Sequence, residues 1–228
     1  MALPTIFSFD VPSGSVTVDI NSLVIAGWTG RDRDATEIHI AELEAIGVPR
    51  PVTTPCFYRG STSLLTQEPR IQVVGSDSSG EVEFFLVKHE GTIWIGVGSD
   101  HTDRALETYN VSLSKQVCAK PISRMLWPLT NTEDHWGTLV LRSFAMIDGA
   151  RTVYQEGPVT TMIAPSDLIA LYRDTGGAFE DGTLMFCGTL AVHGGVRPAD
   201  RFEVEIHDPM RDRTLTHAYD IEILPNIG

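Results

Sequence analysis

From residue 6 onward apolar residues come in short runs, IFSFDV, VTVDI and LVIAGW, separated by Pro, Ser and Gly. Runs this short, cut at turn-forming residues, predict strands joined as a meander. The period changes over Asp34–Ile46, DATEIHIAELEAI, where Ile38, Ala41, Leu43, Ala45 and Ile46 fall among acids. That spacing predicts a short helix stopped by Gly47 and Pro49. Proline recurs as far as Pro55, and CFYRGSTSLL then reads as a strand leading to the turn SDSSG. EVEFFLVK and TIWIGVGSD, joined by HEG, predict a hairpin, and WGTLVLRSFAMIDGARTVYQEG predicts a second one turning at IDGAR. PSDLIALYR at 165–173 predicts a short helix with Ser166 or Asp167 as its cap. Glycines and β-rich runs in GTLMFCGTLAVHGGVRPADRFEVEIHD point to a sheet closing on itself. The pattern is that of an α+β fold, mostly β, with two or three short peripheral helices.

A length of 228 residues suits one domain with a real core. The expected division is a single domain over 1–228: a leading β-meander (1–30), a helical segment (31–48) and a β-roll (49–228). A net charge of -13 with no concentration of Lys and Arg argues against nucleic acid as a partner, so an anionic small molecule needs a local cationic site. Cys56, Cys118 and Cys187 are odd in number and far apart, which predicts reduced thiols rather than disulfides or a zinc knuckle. The start MALPTIFSFDVPSG has no basic n-region, and no run of about eighteen apolar residues occurs, so no membrane partner and a cytoplasmic location are the expectation.

The candidate chemistry lies in EVEFFLV. On a strand alternate side chains share a face, so Glu81 and Glu83 aim at one point while Val82 turns away. An isolated pair of this kind is the solvated face of an amphipathic strand. Here the hairpin partner ends Gly98-Ser99-Asp100, which brings a third carboxylate alongside. Three carboxylates suit a hard cation such as Mg²⁺ or Mn²⁺ better than zinc. His101 follows Asp100 and points the other way on an extended chain, which makes it a neighbour of the site rather than a ligand. His89, His135, His193 and His217 have no ligand spacing, and solvent or packing roles are expected for them.

The order E-V-E, then G-S-D-H-T-D-R, then S-K-Q followed by P-I-S and W-P-L resembles the fumarylacetoacetate hydrolase family, as a divergent branch. GRDRDATEIHIAE, the Pro-rich PRPVTTPCFYRGSTS and the C-terminal GTLMFCGTLAVHGGVRPADRFEVEI extend the resemblance from about Gly30 to the end. It implies a mixed β-roll, a homodimer, and Mg²⁺ or Mn²⁺ on Glu81, Glu83 and Asp100. It further implies Arg104 and Lys115 as substrate contacts, with Lys115 also catalytic, and a His39–Glu42 dyad that activates water. The sequence departs from the family in three places. Only a short hairpin separates Glu83 from Asp100 where a helix is usual, Ser99 stands for Asn, and Tyr58-Arg59 lie where a lysine is usual.

A chelated oxo-acid places its developing enolate beside the metal, with Arg104 and Lys115 as fixed positive charges. His39 and Glu42, three apart on a helix, share a face, so the carboxylate can set the imidazole's tautomer. Gly188-Thr189 and Gln155 are further pocket candidates. The resemblance thus implies metal-dependent hydrolysis of a carbon–carbon bond in an acylpyruvate-like diketo acid, chemistry of aromatic catabolism. Decarboxylase, hydratase or lyase action on an oxo-acid, or a non-catalytic metabolite-binding role, remain open alternatives.

Overall fold

In the computed structural model residues 5–45 and 50–227 are described, with the side chains of His39 and Leu43 outside that set. The expected helix stop at Gly47 and Pro49 also lies outside the described residues.

Val82–His89 and Thr92–Ser99 pair antiparallel. Between them Glu90 (φ 48°) and Gly91 (φ 75°) take the left-handed conformation of a two-residue hairpin turn. Every residue from Val82 to Val87 is buried, so this strand has no solvated face. Val82, Phe84 and Leu86 pack with Ile95, Val97, Leu141, Val204 and Ile206. Phe85 and Val87 pack with Leu23, Ile25, Leu184, Phe186 and the leading hairpin's Phe9, Val18 and Ile20. Burying each phenylalanine contributes about 1.5–3 kcal/mol, so the hairpin that carries the acidic residues is anchored on both sides.

The hairpin lies inside a six-stranded sheet. Its order is Trp127–Pro128, Thr92–Ser99, Val82–His89, Thr183–Phe186, Ser22–Gly27, Cys56–Gly60. A five-stranded sheet runs Ala150–Pro158, Val140–Ile147, Arg201–Asp208, Arg213–Leu224, Arg70–Val74 and supplies the opposite wall of the core. Where a leading meander was expected, Thr5–Val11 pairs with Gly14–Ile20 as a two-stranded hairpin, and Ser22–Gly27 leaves it to join the six-stranded sheet between Thr183–Phe186 and Cys56–Gly60. The second predicted hairpin turns at Asp148 (φ 52°) and Gly149 (φ 75°). Helices are few and short, which makes this a mostly-β α+β fold. No helix among the described residues is long and apolar enough to cross a membrane.

The structure differs from the sequence reading in three respects. Helix Pro165–Asp174 is capped by Ala164 with no side-chain bond, and Pro165 occupies the first turn, where its missing N–H costs nothing. Ser166 and Asp167 therefore lie inside the helix. Two six-residue helices, Arg104–Tyr109 and Val111–Gln116, were not anticipated because neither is long enough to show a period. Their signal was in the caps: Asp103 accepts from Leu106 N and Asn110 from Leu113 N. The C-terminal run forms no closed sheet by itself. Gly188 to Asp200 contains no strand, and the long strand Arg213–Leu224 instead joins Arg70–Val74 in parallel.

Candidate metal centre

Strand register assembles the acidic group. Glu83 stands opposite Gly98 and Val82 opposite Ser99, and Asp100 N donates to Glu81 O at 3.0 Å, so Glu81 and Asp100 face each other across the strands. Glu81, Glu83 and Asp100 bring one ligand atom each to within 4.8 Å of one another. Glu83 and Asp100 are buried and Glu81 is half-buried.

Each carboxylate is held by a different part of the chain. Glu83 Oε2 accepts from the Gly188 amide at 2.7 Å. Gly188 has φ +101°, and a Cβ there would stand 1.7 Å from Thr29 Oγ1, which itself donates to Cys187 O. Only glycine fits this approach. Glu81 Oε1 accepts from Arg104 Nη1 at 3.0 Å, and Arg104 also bonds Ser79 and Glu107. Asp100 Oδ2 accepts from Lys115 Nζ, and Lys120 Nζ stands 3.1 Å from Oδ1. Lys120 also donates to His101 O, so that ammonium's ion pair is what Asp100 Oδ1 meets among the described residues.

The electrostatics separate the two buried acids. Burial, reinforced by Asp100 and Glu81, pushes the Glu83 carboxyl well above the usual carboxylate range. Burial opposes ionisation of Asp100 too, but Lys115 and Lys120 outweigh it and hold that carboxyl at about 2. For Lys115, burial is outweighed by Asp100 and Glu81, and its pKa rises. Lys120, more deeply buried and facing Lys115, is shifted down.

The residues fit a hard divalent cation. All three donors are carboxylate oxygens, two of the acids are buried, and among the described residues the four acids Glu81, Glu83, Asp100 and Glu107 meet three cations, Arg104, Lys115 and Lys120. Added positive charge would relieve the repulsion that raises Glu83.

The other candidates divide sharply. Gln155 is no pocket residue: its Oε1 accepts from Val82 N and Ser143, and its Nε2 donates to Thr189 and Leu190 O, which exhausts the amide. Thr189 Oγ1 donates to Val82 O and accepts from Gln155, so its hydroxyl is also committed. The Gly188 amide is spent on Glu83, and Arg104 braces Glu81. Of the five residues expected to meet substrate, Gln155, Gly188 and Thr189 are thus bonded within the protein, while Arg104 and Lys115 each pair with an acid of the centre. His39 and Glu42 share helix Arg33–Ala45; the His39 side chain lies outside the described residues, and Glu42 is exposed and not part of the carboxylate group.

Sequence reasoning missed Lys120, fully buried at the site. A lysine in the apolar stretch CAKPIS was the available signal. It also missed the support behind Glu81. Tyr219 OH donates to Ser99 Oγ at 2.8 Å, and Ser99 Oγ accepts from Glu81 N. His101 points away from the acids, as its parity predicts, with Nδ1 3.0 Å from Tyr219 OH and Nε2 3.0 Å from Ser78 Oγ. Burial, with Lys120 and Arg104 nearby, lowers its pKa to about 3, so the ring is neutral. Tyr219 donates to Ser99, which makes Nδ1 the protonated nitrogen.

A cavity of about 310 Å³ opens beside helix Arg33–Ala45, walled by Trp28, Arg33, Ile40, Pro55 and Ile163. None of the three carboxylates lines it. Trp28 and Gly30 on its wall flank Thr29, which meets Gly188.

Comparison with curated proteins by sequence finds no match. Solved structures match over nearly the whole chain. A fumarylpyruvate hydrolase from Pseudomonas aeruginosa in complex with Mn²⁺ and pyruvate is 14% identical, with TM-score 0.64, covering 98% of this chain and 99% of that one. A protein from Oleispira antarctica, provisionally assigned as a fumarylacetoacetate isomerase/hydrolase, is 17% identical with TM-score 0.66, covering 94% and 99%. A 2-keto-3-deoxyarabinonate dehydratase is 18% identical with TM-score 0.62, covering 92% and 78%. At these identities the likeness establishes the fold. The family model described as a protein of unknown function, DUF2848, matches residues 26–219, and the chain belongs to that family, built on the fumarylacetoacetate hydrolase fold.

Proposed function

We propose that the chain is a divalent-metal-dependent enzyme acting on a small oxo-acid, with hydrolysis of a carbon–carbon bond in an acylpyruvate-like diketo acid as its reaction. One observation carries the reading: three carboxylates, two of them buried and one half-buried, converge within 4.8 Å of one another. The fold likeness to a fumarylpyruvate hydrolase solved with Mn²⁺ and pyruvate supports the substrate class.

Glu81, Glu83 and Asp100 would hold Mg²⁺ or Mn²⁺, which when bound supplies Lewis acidity to a carboxylate and the carbonyl beside it. Arg104 and the Gly188 amide keep two of those ligands aimed. Lys115 and Lys120 offer positive charge to substrate oxygens next to Asp100. His39, oriented by Glu42, takes a proton from water as its oxygen adds to the distal acyl carbon. The carbon–carbon bond then breaks towards the pyruvate half, whose carbon receives the proton, giving a carboxylic acid and pyruvate. The cavity beneath the helix that carries His39 has the volume for the substrate's tail.

A second reading is decarboxylation or lyase chemistry, favoured by the commitment of Gln155, Thr189 and Arg104 to internal bonds, which leaves lysines as the polar groups facing the acids. The deciding experiment measures acylpyruvate hydrolysis and oxo-acid decarboxylation with Mn²⁺ for wild type and His39→Ala. Hydrolysis requires Mn²⁺ and falls about 100-fold or more in His39→Ala, with Mn²⁺ affinity unchanged. Decarboxylation that survives His39→Ala would favour the second reading. Mn²⁺ binding without turnover of either class would leave a metabolite-binding protein.

A further inference from the structure

A second cavity, of about 360 Å³, lies on the side to which His101 points. Its walls include Ser76, Asp77, Ser78, Arg104, Val196 and Arg197. None of the three carboxylates and neither lysine of the metal centre lines it.

Two guanidinium groups reach this space, and each leaves one nitrogen buried without a hydrogen-bond partner among the described residues: Nη2 of Arg104 and Nε of Arg197. Arg104 spends Nε on Ser79 and Nη1 on Glu81 and Glu107. Arg197 spends Nη1 and Nη2 on the carbonyls of Gly194 and His193, with its guanidinium 5.8 Å from the Tyr154 ring. Those carbonyls carry no formal charge, and no ion pair is found for Arg197 among the described residues.

That arrangement is unusual in a chain with net charge -13, where most arginines have acids to meet. Buried N–H groups are ordinarily satisfied, and two of the residues that line this cavity each carry a guanidinium with one that is not. Guanidinium N–H groups select carboxylate and phosphate oxygens. Ser76 adds a hydroxyl to the lining, and Asp77, exposed at the rim, disfavours a highly charged ligand.

We infer that this cavity binds a small oxyanion, a carboxylate or a phosphate, between the guanidinium groups of Arg104 and Arg197. The anion sits apart from the acidic centre and shares only Arg104 with it.

The test is calorimetric titration of phosphate, and separately of acetate, into the full chain before and after chelation of metal. Saturable one-to-one binding of at least one anion is expected, unchanged by chelation and weakened at least tenfold in Arg197→Gln. Ala105 also lines the cavity, at an exposed position of helix Arg104–Tyr109. Ala105→Glu therefore adds a repelling carboxylate at little risk to folding and abolishes binding, whereas Ala105→Gln retains it. Phosphate binding alone identifies a phosphorylated ligand, acetate binding alone a carboxylic acid, and either supports the site. The inference is overturned if neither anion saturates, if Arg197→Gln binds as wild type, or if binding vanishes on chelation yet survives Ala105→Glu.

Discussion

Replacing Glu83 by glutamine separates what the acid costs the fold from what it contributes to metal binding. Glu83 is 3% exposed, receives one backbone N–H from Gly188, and faces Asp100 and Glu81, which together with burial raise its pKa well above the usual value. A carboxyl raised on folding adds stability that is fully present below its unfolded pKa and is lost as pH rises through the folded one. The metal-free protein therefore loses about 1.4 kcal/mol per pH unit from this group, starting near its ordinary value of 4.5 and ending at the folded pKa. Asp100 has the opposite sign: its contribution is present above 3.8 and is lost as pH falls through about 2, so it does not add to the slope above pH 5. Glutamine reproduces the size and neutrality of the protonated acid. Metal-free Glu83→Gln should match or exceed wild type in stability at pH 8, with a smaller fall in stability between pH 5 and pH 8, and should not bind Mn²⁺. Wild type should release close to one proton per Mn²⁺ bound, and its affinity should rise up to tenfold per pH unit while Glu83 is protonated. Denaturant unfolding of both proteins across pH, with calorimetry in buffers of different ionisation enthalpy, measures each quantity. Parallel pH profiles for the two proteins, together with pH-independent Mn²⁺ affinity, would refute the reasoning.

Two further substitutions probe the support around the acids. Gly188→Ala forces a Cβ to within 1.7 Å of Thr29 Oγ1 at φ +101°, so unfolding free energy should fall by at least about 1–3 kcal/mol, with weaker Mn²⁺ binding as the Glu83 amide contact shifts. A wild-type midpoint in urea would contradict it. Lys115→Met removes the ammonium paired with Asp100 and near Glu81, so Mn²⁺ should bind at least as tightly as in wild type while turnover of the oxo-acid drops about 100-fold. Weaker Mn²⁺ binding in this variant would mean that the lysine organises the acids rather than serving substrate.

What the sequence disclosed and what it hid follow from the range of the interactions. The shared face of Glu81 and Glu83, the arrival of Asp100 and the outward turn of His101 all depend on two-residue periodicity and one hairpin, both local. Lys120 reaches the site because its segment crosses Gly98, where an added Cβ would meet Pro121 O at 2.6 Å. Nothing in the spacing of residues 98 and 120 announces that crossing. The commitments of Thr189 and Gly188 are likewise long-range bonds to residues 82 and 83, visible only once the strand Thr183–Phe186 lies beside Val82–His89, and that of Gln155 to Val82 N comes from Ala150–Pro158 of the five-stranded sheet. Chemistry-bearing residue types at a strand end invite a ligand-binding reading, and here the protein itself supplies their partners.

The pairing of Val82–His89 with Thr92–Ser99 also determines where the chain tolerates change in length. Cross-strand register, not loop length, keeps Glu81 opposite Asp100, and the turn at Glu90 and Gly91 begins seven residues beyond Glu83, roughly 23 Å at the rise of a strand. Sequence inserted at that tip leaves the acids aligned, whatever its length. A single residue inserted within either strand moves side chains beyond it to the opposite face, turning carboxylates into the apolar core. The distal turn is thus a permissive position for a fluorophore, an affinity tag or a whole domain, while the strands leading from it admit almost no change in spacing.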